Sequence, residues 1–298
     1  MSQKISINNR NDILFLLIVA LIFITGIANA ENVGTPIRTL IYPKPEVVND
    51  DRGLFPLLVL QLALSKVDSS YTLTPSGSIM DQERALRQLE TTNGGIDIVW
   101  TMTSIERESR LLPIRIPIDK GLLGWRLALV SSKNGQIFKY VKSTDDFKKF
   151  VGCQGHDWPD TMILKGNGIQ VLTDPSYPKL FKLIESGKAD YFPRSSLEVW
   201  NELEINKVNG ILLDPYLVIR YPTAMYFFVN KAKVGLARLI TTGFEMAIND
   251  GSFGRLFQSE YGEKLRTAKF SSRRVINLEN PLLPKATPTD RKELWFSP

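Results

Sequence analysis

The chain has 298 residues, with 37 Lys and Arg against 31 Asp and Glu, one His and one Cys. Hydrophobic residues make up 43% of the sequence, which is ample for a core and excludes a wholly disordered chain. The single Cys153 excludes an intramolecular disulfide, and one Cys with one His excludes a metal site built from several such ligands of one chain.

The first 30 residues have the three parts of a secretory signal peptide. Lys4 and Arg10 precede an apolar run at residues 13–24, which is too short to span a bilayer, and Ala-Asn-Ala at 28–30 is a small-x-small cleavage pattern. The sequence therefore predicts cleavage after Ala30 and a periplasmic location, with an uncleaved membrane anchor as the alternative. Cleavage lowers the formal net charge from +6 to +5, and this excess is spread along the chain.

Predicted strands and helices alternate after residue 36. Apolar segments of the strand type lie at 37–42, 71–74, 96–100, 127–131, 169–172, 189–192, 211–213 and 225–229. Helical spacing or capping marks 53–64, 81–89, 143–150, 161–164, 177–186, 197–203, 235–249 and 253–261. Such alternation predicts sheets covered by helices. From residue 277 onward the prolines and the lack of a period predict an extended tail.

Three segments, in this order, resemble the family 3 periplasmic solute-binding proteins. Residues 97–107 resemble that family's strand, Thr-rich turn and Glu-Arg pair, and residues 180–190 resemble its helix, Gly and Asp before a strand of the second lobe. Residues 239–262 resemble its C-terminal helix, Asp-Gly turn and Tyr-Gly ending. The resemblance covers most of residues 36–265 and is that of a divergent member.

The resemblance implies an α/β fold of the type II periplasmic binding protein kind. Its two lobes are each a mostly parallel sheet flanked by helices, and two crossing strands form the hinge. The implied domains are a signal peptide at 1–30, lobe 1 at 31–125 plus 226–298, and lobe 2 at 127–219, with hinges near 126–131 and 220–226. Ligand bound between the lobes would draw them together, and we expect a monomer.

In this family the Thr-rich turn and an Arg bind a ligand carboxylate, because a guanidinium fork matches the two carboxylate oxygens. Carried over to this chain, that role falls to Thr101, Thr103 and Arg107. The turn is one residue short before the Glu-Arg pair, so Arg110 is an alternative. A solvated arginine at the start of a helix is the other interpretation of Arg107.

The second lobe departs further from the family. Members that bind an amino acid usually carry an Asp whose counterpart here is near Ser195, directly after Arg194. A basic residue at this place argues against an ordinary α-amino acid and favours an anionic or polar ligand. The loop at 152–161 matches the family's Gly-rich turn and helix N-terminus. We expect it to line the cleft with Gln154, His156, Trp158 and Thr161, although packing of Trp158 and plain exposure of His156 are the alternatives.

The leading interpretation is a binding protein without catalytic activity, cofactor or metal. It would capture a small polar ligand, anionic or carboxylate-bearing, for an ABC importer or a membrane sensor. A dehydratase-like or peptidoglycan-lyase-like enzyme on the same fold is the alternative, and it needs a cleft carboxylate with a raised pKa. The candidates are Glu46, Glu106, Asp160 and Glu198. Dispersed charge and export argue against a nucleic-acid partner.

Overall fold

The computed structural model of the chain describes residues 38–44, 53–92, 94–206 and 209–298. The predicted signal peptide, its cleavage site and the candidate Glu46 lie outside the described residues. Among the described residues, no helix combines the length and the apolarity that crossing a membrane requires.

The described elements alternate between strands and helices, much as predicted. The strands are β1 (Arg38–Lys44), β2 (Tyr71–Ile79), β3 (Val99–Met102), β4 (Leu112–Ile114), β5 (Trp125–Ser131), β6 (Gly152–Gly155), β7 (Val171–Asp174), β8 (Phe192–Ser195), β9 (Ile211–Leu213), β10 (Leu217–Arg220), β11 (Met225–Val229) and β12 (Arg274–Asn277). The helices are α1 (Leu54–Val67), α2 (Gln82–Glu90), α3 (Ile105–Arg110), α4 (Thr144–Phe147), α5 (Pro159–Gly166), α6 (Tyr177–Glu185), α7 (Val199–Asn206), α8 (Val234–Asn249) and α9 (Ser252–Ala268).

The strands form two main sheets. In the first, β11 lies between β3 and β4 and is antiparallel to both, with Phe227 opposite Trp100 and Ile114. In the second, the order is β12-β10-β5-β8, and β9 also pairs with β5. The parallel pair β6-β7 lies beside β8, and Gly152 forms a parallel bridge with Tyr191, the residue before β8. Helices α1, α8 and α9 pack together, and α8 covers the first sheet.

The α/β class is confirmed, and two details differ from expectation. Strands β5 and β11, each the first strand after the chain has crossed from the other sheet, run antiparallel to the strands they pair with. Residues 274–277, placed in lobe 1 and partly in the tail by the sequence, instead form β12 parallel to β10 of the second sheet. The physical reason is burial, because Ile276 and Leu278 pack in one apolar cluster with Ile219.

The close approach of α8 to α1 depends on Gly243. A Cβ atom at this position would lie 1.9 Å from the carbonyl oxygen of Ala63, and that atom belongs to helical backbone. The variant Gly243→Ala is therefore expected to lose about 3 kcal/mol of unfolding free energy, because the two helices must separate. Urea denaturation followed by circular dichroism measures this loss.

Gly235→Ala, on the same helix, is the matched control. A Cβ atom there meets nothing within 4 Å, so this variant should gain roughly 0.5 kcal/mol through helix propensity. Equal effects of the two substitutions would show that close packing at Gly243 does not limit the fold.

Candidate functional site

The Thr-rich turn connects β3 to α3. The hydroxyl of Ser104 caps α3 by accepting a hydrogen bond from the backbone N–H of Arg107, at 3.1 Å. This cap fixes the direction of the helix and turns the Arg107 side chain back over the end of β3. Its guanidinium donates to Thr101 Oγ1 and to the Met102 carbonyl, both at 2.8 Å, and to Gln82 Oε1 at 2.6 Å.

All three acceptors of Arg107 are neutral. Among the described residues, no carboxylate forms an ion pair with this guanidinium, although it is only partly exposed. Burial lowers the pKa of Arg107 from its ordinary value, and the more distant carboxylates of Glu106, Glu83 and Asp160 oppose that effect. A cation that is desolvated and has no direct counter-ion is suited to receiving an anionic group.

The alternative arginine of this turn is fully engaged. Arg110 donates to Glu106 at 2.6 Å, to Glu83 at 3.2 Å and, at shorter range, to Glu90. The hydrogen bonds to these carboxylates raise its pKa. The geometry therefore favours Arg107 over Arg110. Thr103 is buried, and its hydroxyl donates to Glu108 at 2.7 Å. Of the two threonines, Thr101 is therefore the one whose hydroxyl contacts the Arg107 guanidinium.

The polar residues of the second sheet meet where β6 and β8 end. Parallel strands present their carboxyl ends at one edge of a sheet, the usual place for ligands in α/β folds. Gln154 is completely buried, its amide donates to the Pro193 carbonyl at 3.3 Å, and its Oε1 has no hydrogen-bond partner among the described residues. Ser195, also buried, lies opposite Arg126 of β5.

Arg126 and Asp160 form a buried ion pair at this edge. Arg126 Nη2 lies 2.5 Å from Asp160 Oδ1, and the Tyr221 hydroxyl donates to the same oxygen. Glu198 approaches Arg126 at 3.8 Å. Burial opposes the charged form of Arg126, but Asp160, Tyr221 and Glu198 together outweigh it and raise the pKa of Arg126. Burial also raises the pKa of the Tyr221 hydroxyl.

The sequence suggested that Arg194 is available to an anionic ligand, but in the structure two carboxylates bind it. Its Nε donates to both oxygens of Glu202, at 2.9 and 2.8 Å, and its Nη2 lies 3.1 Å from Glu198. The guanidinium lies 4.9 Å from the ring centroids of Trp158 and Phe192. Burial opposes the charge, but the two carboxylates outweigh it and raise the pKa of Arg194. The predicted contact of Arg194 with an anion therefore loses its support, because its charge is already neutralised.

The other three loop residues that were predicted to line the cleft, Thr161, Trp158 and His156, have three different surroundings. Thr161 is buried and donates to the Gly155 carbonyl at 2.7 Å, which holds the start of α5 against β6. The Trp158 ring stacks on Phe192 at 6.3 Å, in agreement with packing. His156 is exposed, and its backbone N–H donates to the Asp174 carbonyl at 3.3 Å.

Sequence reasoning missed three members of this site: Arg126, Glu202 and Tyr221. A signal existed for Arg126, since it is the one charged residue in the seven-residue strand Trp125–Ser131. Together Arg126 and Arg194 face Asp160, Glu198 and Glu202, so the cluster carries one excess negative charge. Among the described residues, no group of three or more His, Cys, Asp or Glu could hold a metal ion.

A buried carboxyl beside the second sheet predicts a pH effect. Asp214 is buried, and burial raises its pKa, although the N–H groups of Leu217 and Tyr216 oppose this. Between the ordinary and the raised pKa the folded chain binds a proton that the unfolded chain has lost, so this contribution to stability falls as pH rises. Relative to wild type, Asp214→Asn should therefore gain unfolding free energy from pH 4 to pH 7, measured in urea. The exposed control Asp145→Asn should show no such trend; a flat difference for Asp214→Asn would contradict the assignment.

No family model and no curated protein sequence matches the chain. Solved structures do match. The probable amino-acid ABC transporter extracellular-binding protein of Bacillus subtilis has a TM-score of 0.57 and 17% identity, over 76% of this chain and 99% of that one. An ancestral arginine-binding protein bound to arginine gives 0.53 and 17%, over 76% and 100%. A histidine kinase sensor domain with similarity to periplasmic binding proteins gives 0.53 and 10%, over 76% and 96%.

These likenesses define the class of fold. The chain has the two-lobed α/β fold of the periplasmic solute-binding proteins, as the three sequence segments implied. At such low identity the likeness establishes the fold alone, and it is shared by binding proteins of ABC transporters and by a sensor domain.

Proposed function

We propose that the chain is a periplasmic solute-binding protein that holds a small carboxylate-bearing solute between its lobes for an ABC importer or a membrane sensor. The observation that carries the proposal is the Arg107 guanidinium, which is desolvated and, within the described part of the chain, donates only to neutral acceptors. A solute carboxylate would supply the missing counter-charge, and Thr101 would hold the guanidinium in place. The two-lobed fold supports the proposal because ligand pockets occur preferentially at the interface between domains.

In the proposed division, each lobe is built around one of the two main sheets. Lobe 1 contains the first sheet with α1, α2, α3, α8 and α9, and lobe 2 contains the second sheet with α4 to α7. We assign β12 to lobe 2, and we retain the hinges near 126–131 and 220–226. Arg107 then belongs to lobe 1 and Asp160 to lobe 2, and Asp160 contributes to the electrostatic attraction on Arg107.

The second wall indicates what the other end of the solute carries. Because the cluster around Arg126 and Arg194 has one excess negative charge, it favours a positive or hydrogen-bond-donating group. A carboxylate at one end and such a group at the other describe a polar amino acid rather than a dianion. Proteins of similar fold were solved with arginine and with lysine.

Binding without catalysis fits the candidate carboxylates better than the enzyme alternative does. Asp160 and Glu198 are both held by arginines, so either would have to leave an ion pair before it could exchange a proton with a substrate. Glu106 is exposed and paired with Arg110.

The test begins with the protein purified from the periplasm, whose bound solute is identified by native mass spectrometry. A thermal-shift screen of the twenty L-amino acids and of small carboxylates follows. We expect saturable stabilisation by a carboxylate-bearing compound, about 2.7 kcal/mol at one hundred times its dissociation constant. Recovery of the compound unchanged supports binding. Stabilisation by none of the compounds, or chemical conversion of the bound one, would overturn the proposal.

A further inference from the structure

The C-terminal segment connects the two lobes after β12. It leaves the second sheet at Leu278, whose N–H donates to the Arg220 carbonyl at 2.7 Å. Further on, the Arg291 guanidinium donates to both oxygens of Glu245 on α8, at 2.5 and 3.0 Å. The segment therefore begins on lobe 2 and ends on lobe 1.

Asn167 anchors this segment to lobe 2. It follows the last turn of α5, where its side-chain amide donates to the Glu279 carbonyl at 2.7 Å and its Oδ1 accepts from the Glu279 N–H at 2.9 Å. The same amide donates to the Ile163 carbonyl at 2.8 Å. One side chain thus binds both backbone polar groups of Glu279 and fastens them to the helix that carries Asp160.

Three residues later the segment is anchored to lobe 1. The backbone N–H of Ile105, the first residue of α3, donates to the Leu282 carbonyl at 3.0 Å. Ile105 follows Ser104 directly and lies two positions before Arg107. Between the two anchors, Pro281 fixes its own φ and restricts the residue before it. A link of three residues spans about 10 Å at most, so it couples the positions of α3 and α5 closely.

We propose that residues 279–282 form a third connection between the lobes, besides the two hinge strands, and that it limits how far α3 and α5 separate. It sets the width of the open cleft, with Asn167 as its positioning residue. The inference rests on the proposed binding cleft between these helices. Its test needs no ligand, so its failure is distinct from failure of the proposed function.

The experiment measures the distance between α3 and α5 in the full chain. Spin labels are attached to Ser109→Cys and Lys165→Cys, both exposed sites, while the native Cys153 is buried and protected from labelling. With the native Asn167 we expect a narrow distance distribution by pulsed electron resonance. Adding Asn167→Ala should widen the distribution towards longer distances and speed amide exchange at Ile105 by about tenfold.

Asn206→Ala is the matched control. Asn206 also ends a helix and donates to the carbonyl four residues back, that of Glu202, at 2.8 Å. Its loss removes the same local hydrogen bond without touching residues 279–282, so the distances should stay unchanged. Asn167→Asp, which keeps the acceptor for the Glu279 N–H, should give an intermediate width and serves if Asn167→Ala does not fold. An unchanged distribution in both Asn167 variants, or equal widening in Asn206→Ala, would overturn the proposal.

Discussion

The variant Arg107→Ala is expected to weaken solute binding by roughly 100-fold, about 3 kcal/mol, because a desolvated charge pair would lose one partner. The native guanidinium is already held by Thr101, Met102 and Gln82, so it meets the carboxylate without further ordering. Isothermal titration with the compound recovered from the purified protein measures the change. The affinity of Arg107→Lys should lie between those of the wild type and of Arg107→Ala, since an ammonium keeps the charge but cannot reproduce the guanidinium fork.

Arg110→Ala is the control for this measurement. Arg110 lies on the same short helix and carries the same charge, but three carboxylates already bind it. Its removal should change the affinity less than threefold. The assignment of the carboxylate site fails if Arg107→Ala binds as tightly as Arg110→Ala, provided that circular dichroism shows both variants folded.

Asp160→Ala is expected to have the largest effect on stability, a loss of about 4 kcal/mol of unfolding free energy. The substitution leaves Arg126, which is 2% exposed, without its closest counter-ion, and it leaves the Tyr221 hydroxyl without its acceptor. Urea denaturation gives the value. Asp145→Ala, whose side chain is 89% exposed beside Lys148, should change stability by less than about 0.5 kcal/mol.

A double variant separates the ion pair from simple packing. Replacing both partners by apolar residues, Arg126→Met with Asp160→Leu, removes the uncompensated charge and should recover most of the lost stability. If the double variant is as unstable as Asp160→Ala alone, packing around Asp160 rather than charge accounts for the loss.

The position of this ion pair gives it a further consequence for the proposed function. Arg126 and Tyr221 belong to the two segments proposed as hinges, and both bind Asp160 at the start of α5. A solute group that attracts Asp160 would compete with both contacts. Binding at one wall of the cleft would in this way alter the hinge strands directly, without an intervening chain of side chains.

Local sequence predicted those parts of the molecule whose partners are near in the chain. The alternation of strands and helices follows from hydrophobic periodicity, which spans a few residues. The turn from β3 to α3 was predictable for the same reason, because Arg107 and Thr101 are only six positions apart and a capped helix brings them together. The single Cys153 was likewise sufficient to exclude an intramolecular disulfide.

The second wall and the C-terminal segment needed the tertiary structure. Tyr221 lies 61 positions from Asp160, and Glu279 lies 112 positions from Asn167, so no local pattern could pair them. The carboxylates that bind Arg194 lie closer in the sequence, but their contacts with it also appeared only in the structure. In the sequence Arg194 is a basic residue where the family has an acidic one, but the fold surrounds it with Glu198, Glu202 and aromatic rings. The chain by itself thus determined the class of fold and the capped turn that holds Arg107, while the tertiary structure decided which cations are neutralised.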